Sequence, residues 1–201
     1  MAVGRANQGT DVLGRVMEAS IARLSAECYQ LDGAPPLGGL VLVEEPRGDI
    51  YAVVCDAQTD SIEPGRRPVA HTPPEADAEA VLADNPQLRL LLRTTFDALV
   101  VGYEADGVVR QHLPPAPARI YARVRLCPPP QVRRLTESLH FLKLLLAAGP
   151  AADEVTAACL RQAAAVHPDA KAFLVQAGRA LLGLVGQDPN HLTAILRSIQ
   201  P

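Results

Sequence analysis

Three consecutive prolines, Pro128-Pro129-Pro130, mark the place where this chain changes its hydrophobic period, and that change limits the folds open to it more than any other feature. Ahead of the prolines, short runs of Val, Ile, Leu, Tyr and Cys alternate with Gly, Pro and Asp, as strands and turns do. Beyond them, apolar residues recur at helical spacing. The expected fold class is therefore α+β. A β-rich domain should occupy 11–129 and an α-helical domain 130–201, with 1–10 as a short mobile tail.

Within the first segment the expected strands are Leu13–Ser20, Arg23–Gln30, Leu40–Glu44, Ile50–Thr59, Ala98–Tyr103 and Ile120–Leu126. In the last of these, Ile120, Ala122, Val124 and Leu126 fall on one face and Tyr121, Arg123 and Arg125 on the other, so one side should be wet. One helix is expected to interrupt the strands at Pro86–Thr94, where Asp84 or Asn85 can cap, proline occupies the first turn, and Leu88, Leu91 and Leu92 form a stripe. The stretch Glu63–Asp77, rich in Pro, Gly and charge, reads as a loop. Glu104-Ala-Asp-Gly107 is a turn signal that predicts a hairpin between Val100–Tyr103 and Val108–Gln111. Leu113-Pro-Pro-Ala-Pro117 cannot donate regular ladder hydrogen bonds and reads as an extended connection.

The last third reads as about four helices. Val132, Leu135, Leu139, Leu142 and Leu146 recur at steps of three and four across Gln131–Ala148, a continuous apolar seam open to two readings. It can pack against the following helices, or it can serve as a helix-mediated interface, although two heptads are few for a coiled coil. Asp153 and Asp169 are placed to cap the next two helices, and His167-Pro168 separates them. Asp188-Pro189 starts the last, with Leu192, Ile195, Leu196 and Ile199 facing one way.

Composition and motifs exclude several functions. The hydrophobic fraction of 48% and charged fraction of 20% suit an ordinary soluble chain. No apolar run approaches the roughly 18 residues that span a bilayer, and Leu139–Ala148 is interrupted by Lys143, so no membrane association and a cytoplasmic location are expected. A net charge of −3 argues against a wholly basic nucleic-acid coat. The two lysines, Lys143 and Lys171, each follow an apolar residue rather than glycine, so neither can serve a Walker-type phosphate loop. Cys28, Cys55, Cys127 and Cys159 lie far apart with no C-x-x-C pair, and read as buried free thiols rather than metal ligands. There is no G-x-S-x-G and no H-E-x-x-H. His71, His112, His140, His167 and His191 each stand alone, while Asp56, Asp60, Glu75, Asp77 and Glu79 read as solvated surface. No catalytic residue, metal or cofactor is expected.

One electrostatic feature stands out. Between Gly107 and Thr136 there is no acidic residue, while Arg110, Arg119, Arg123, Arg125, Arg133 and Arg134 all fall there. Arginine forks suit phosphate oxygens, so the stretch can contact nucleic acid or an acidic partner. Alternatively, arginines on the exposed face of a strand discourage edge-to-edge aggregation. Tyr121 alone accompanies them, which does not make a base-stacking platform.

Leu13-Gly-Arg-Val16, Leu37-Gly-Gly-Leu-Val-Leu-Val43, Ile50-Tyr-Ala-Val-Val54, Leu99-Val-Val-Gly-Tyr103 and Leu113-Pro-Pro115, in that order, resemble the HAS-barrel family, found at the amino terminus of HerA-type DNA-translocating ATPases and of the catalytic subunits of rotary ATP synthases. The resemblance covers about Leu13 to Pro129. It implies a small closed β-barrel of about six strands with one inserted helix, followed here by a C-terminal helical bundle in place of the ATPase domain. It also implies a non-enzymatic adapter or assembly role, with an ATPase or nuclease as protein partner, and permits a homo-oligomer. Direct nucleic-acid binding through the arginine-rich stretch 110–134 is the alternative.

Overall fold

The computed structural model describes residues 12–63, 77–186 and 188–199. The expected tail, most of the Glu63–Asp77 loop, and with it His71 and Glu75, lie outside the described residues, as does the His191 side chain. The architecture is mixed α+β: one seven-stranded antiparallel sheet, β1 (Val12–Ala19), β2 (Arg23–Cys28), β3 (Leu40–Val43), β4 (Ile50–Ser61), β5 (Leu92–Ala105), β6 (Val108–Arg110) and β7 (Arg123–Leu126). Helix α1 (Ala78–Asp84) and a 3-10 helix (Pro86–Leu90) lie between β4 and β5. Helices α2 (Pro129–Leu135), α3 (Leu142–Leu146), α4 (Ala152–Ala164), α5 (Ala170–Val185) and α6 (Pro189–Ile199) follow the sheet.

Strand order is β2-β1-β7-β3-β4-β5-β6, and β2 also pairs with β5. The ladders thus run in a circuit from β1 to β2, β5, β4, β3, β7 and back to β1. β6 stands outside that circuit, paired to β5 alone. β5 serves three neighbours because it is long: Thr95–Leu99 face β2, Tyr103–Ala105 face β6, and β4 accompanies it from Leu92 to Tyr103 with register shifts at Tyr51/Ala52 and Val54/Asp56.

The central strands are apolar without interruption because both faces are covered. Val41, Val43, Ile50, Ala52, Val54, Ala98 and Val100 point to one core, together with Val16, Phe96 and Val124. Their neighbours Leu40, Leu42, Tyr51, Val53, Leu99 and Val101 point to the other, where they meet Leu135, Phe141, Leu142, Leu145, Leu160, Leu181 and Ile195 of the helices. A period of two with apolar residues at every position is what burial on both faces produces. Gly38, at φ +74, permits α4 to approach the sheet: a Cβ there would lie 2.3 Å from the Cys159 backbone nitrogen.

Four expectations need correction. Asp153 does not cap α4: the N-cap position is Ala151, and Asp153 lies within the first turn. Pro86–Thr94 is not one helix. Only Pro86–Leu90 is helical, and Leu92 onward pairs with Ser61, because fourteen residues of cross-strand bonding outweigh a three-leucine stripe. Gln131–Ala148 is likewise not one helix but α2 and α3, separated by 136–141. In β7 the alternation is curtailed: Tyr121, at φ 67, turns the chain, Ile120 and Leu126 are exposed, and only Ala122 and Val124 face the core. The hairpin at Glu104–Gly107 is present, with Asp106 and Gly107 both at positive φ.

Candidate functional site

The β3–β4 turn, the end of β5, the start of the connection after β6 and Arg119 enclose an open cleft of about 610 Å³. Ile50, Tyr103 and the proline strap 114–117 supply its apolar walls. The strap is held because proline fixes φ at every second or adjacent position, which leaves little freedom to the wall it forms. Gly48, at φ +121, lets the turn press against β5; a Cβ there would overlap the Glu104 carbonyl oxygen at 1.9 Å.

Two carboxylates face this cleft, and both are already engaged. Glu45 accepts from the Arg119 backbone N–H at 2.8 Å and from Arg119 Nε at 2.9 Å. Glu104 accepts from Arg134 Nη1 at 3.1 Å and from the Tyr51 hydroxyl at 3.3 Å, and Arg134 also donates to the Gly107 carbonyl. Burial, then the charge of Glu104, push the Tyr51 hydroxyl upward, so it stays protonated and remains a donor. Asp49 behind them accepts from the Glu45 backbone N–H, and burial raises its carboxyl above the ordinary value. By contrast, the side chains of Arg47 and Arg110 are exposed and have no polar partner among the described residues.

The arginine-rich stretch of the sequence is therefore not a free basic surface. Arg123 Nε lies 2.8 Å from Glu44, and Arg125 Nε lies 3.6 Å from the same residue, close enough for an ion pair and too far for a hydrogen bond. Arg119 and Arg134 hold Glu45 and Glu104, and Arg133 donates to the Val166 carbonyl at 2.9 Å. Of the six, only Arg110 has an unengaged side chain among the described residues. Ladder pairing of β3 with β7 is what brings Glu44 and Glu45 beside arginines far along the chain. Arg47 was not signalled by the sequence stretch at all, since it stands alone between Pro46 and Gly48.

The leucine seam is also spent internally. Val132, Leu135, Leu139 and Leu142 are buried in the core shared with the sheet, and Leu146 is packed against it, so packing, not an external interface, is their role. The sequence reading missed Gln111. Its amide donates to the Leu135 and Ser138 carbonyls and accepts from the Phe141 backbone N–H at 3.1 Å, which ties the end of β6 to the turn between α2 and α3.

A second, more polar concavity of about 590 Å³ is lined by His112, Glu137, His140 and Lys143 among others. His112 packs edge-on against Tyr103, ring centroids 5.3 Å apart, so its ring is part of the wall between the two. Asp60 is paired with Arg93 at 3.1 Å and Asp56 accepts from the Ala57 N–H, and the two do not form an acid–base pair. Among the described residues no group of three or more His, Cys, Asp or Glu converges to hold a metal, and no helix is long and apolar enough to cross a membrane. Cys127 and Cys159 are buried, and burial pushes both thiols up to about 12; Cys28 and Cys55 are half-buried and also raised. No protein-family model matches the chain, and no curated protein matches it.

Proposed function

We propose that the chain is a non-enzymatic adapter or assembly module: a small HAS-like β-barrel with a helical bundle on one flank, serving a HerA-type DNA-translocating ATPase or its nuclease. The observation that carries this reading is the circuit of antiparallel ladders through β1, β2, β5, β4, β3 and β7, which is the pairing a closed barrel of six strands requires. Closure leaves no long free edge, in keeping with a module that stays soluble until it meets a defined partner. The chemistry points the same way. Neither lysine follows a glycine, so a phosphate loop is lacking, and the side chains lining the cleft include no nucleophile paired with a base. The engagement of four arginines by Glu44, Glu45 and Glu104 favours a protein partner over a phosphate backbone.

The test is affinity capture with the tagged full chain from native lysate, followed by light scattering of the recovered complex. Recovery of a phosphate-loop ATPase or a nuclease in a stoichiometric species is the expected result. Repeated recovery of neither, under conditions where the chain stays folded, counts against the reading.

A further inference from the structure

We propose that the cleft flanked by Arg47 and Arg110 docks an extended acidic and apolar peptide segment of a protein partner, with carboxylates on the two guanidiniums and an apolar side chain against the proline strap. This rests on the adapter reading in one respect, that the chain docks a protein; it adds where, and by what chemistry.

Charge decides the class of ligand. Glu45 and Glu104 are the cleft's acidic side chains, and each is already neutralised by its own arginine. Arg47 and Arg110 then stand as two positive charges without a counter-charge among the described residues, at the rim of a concave apolar surface. A guanidinium presents planar donors that match a carboxylate bidentately, and next to low-dielectric walls such a pair is stronger than on open surface. Volume permits a segment of chain, since about 610 Å³ lies within the range of sites that accept sizeable ligands.

Shape and polarity separate a peptide from a nucleic-acid strand. Besides Tyr103 the walls are Ile50, Pro114, Pro115, Ala116 and Pro117, whose side chains offer contacts to an apolar side chain and no donor to a phosphate. Tyr103 is half-buried and meets His112 edge-on at 80°, so it does not form an open platform for stacked bases. The net charge of −3 disfavours approach of a long polyanion, whereas a short acidic segment meets chiefly the local field. A wall of proline and a turn fixed by Gly48 are ordered before the ligand arrives, which reduces the entropic cost of docking.

The experiment is fluorescence anisotropy of the full chain with a fluorescein-labelled peptide of alternating Asp and Leu, about ten residues long so that it crosses the cleft. Oligoglutamate and oligodeoxythymidylate of matched charge serve as comparisons. We expect saturable binding of the Asp-Leu peptide, weakened about tenfold or more when Arg47→Glu and Arg110→Glu are combined and unchanged by Arg179→Glu, a surface arginine on α5. Circular dichroism of the double variant must match the parent. Equal binding of oligoglutamate overturns the apolar half of the proposal, and a peptide affinity indifferent to the double variant overturns the site. Oligodeoxythymidylate binding that the double variant abolishes, with no peptide binding, overturns the peptide in favour of a phosphate backbone. If an ATPase or nuclease is captured by a chain that binds no peptide, the cleft proposal fails and the adapter reading stands. Peptide bound in the cleft with neither enzyme captured gives the converse.

Discussion

Gly38 is the residue on which the approach of helix to sheet depends. At φ +74 it is in the left-handed region, and an added Cβ would meet the backbone of Ala158 and Cys159 at 2.3–2.4 Å, atoms that cannot rotate away. Gly38→Ala therefore incurs both the left-handed penalty of an L-residue and an overpacking strain, together about 3 kcal/mol. Equilibrium urea denaturation measures it, and a loss under about 1 kcal/mol means that α4 moves more easily than this packing allows. Thr156 presents the opposite case. It is fully buried on α4, and its hydroxyl has no hydrogen-bond partner among the described residues, so the fold bears the desolvation of that group without return. Thr156→Val keeps the shape and removes the polar atom, and the same denaturation curves should show a gain of about 1 kcal/mol. A loss of that size would reveal a partner for the hydroxyl.

At the scale of elements, His167 fastens the end of α2 to the junction between α4 and α5. Its Nε2 lies 2.8 Å from the Thr136 hydroxyl at the end of α2, and its ring stacks on Phe173 of α5 at 4.1 Å. Burial, and then the nearby Arg133 guanidinium, hold its pKa below the ordinary 6.5. The neutral ring is thus the form the fold prefers. Its stabilisation is complete above the ordinary value and is lost as pH falls through that value toward the lower folded one. Between about pH 7.5 and pH 5.5 the melting temperature should decline, and His167→Gln should decline less. Parallel slopes for parent and variant would show that His167 plays no part in the decline. The cap of α5 was legible in the sequence, since Asp169 accepts from the Ala172 N–H at 2.8 Å, and so was the Asp106-Gly107 turn. Both are decided within four residues. The break between α2 and α3 was not legible, because Gln111 stabilises it from the far side of the proline run. The same holds for the cleft. Arg110 was visible as part of a charge run, but its isolation, and the neutralisation of its neighbours by Glu44, Glu45 and Glu104, arise from ladders that the linear sequence does not display.

For the whole molecule, the proline run separates two periodicities without separating two cores. Leu40, Leu42, Tyr51, Val53, Leu99 and Val101 share one cluster with the helices, although all six belong to strands whose alternate residues fill the other cluster. Removing the helices would return six large side chains to water at about 2 kcal/mol each. That sum is comparable to the net stability of about 10 kcal/mol that a whole domain of this size possesses. Strands and helices should consequently unfold together, and the chain carries its own reporters for the test. All four tyrosines, Tyr29, Tyr51, Tyr103 and Tyr121, precede the proline run, and there is no tryptophan. Tyrosine fluorescence therefore follows the sheet, while far-ultraviolet circular dichroism is dominated by the helices. The two signals should give one coincident urea transition, and a chain ended after Cys127 should bind a hydrophobic dye or aggregate. Two separated transitions, or a truncated sheet that remains monomeric and cooperative, would show that the helices are a second domain resting on a sheet stable without them.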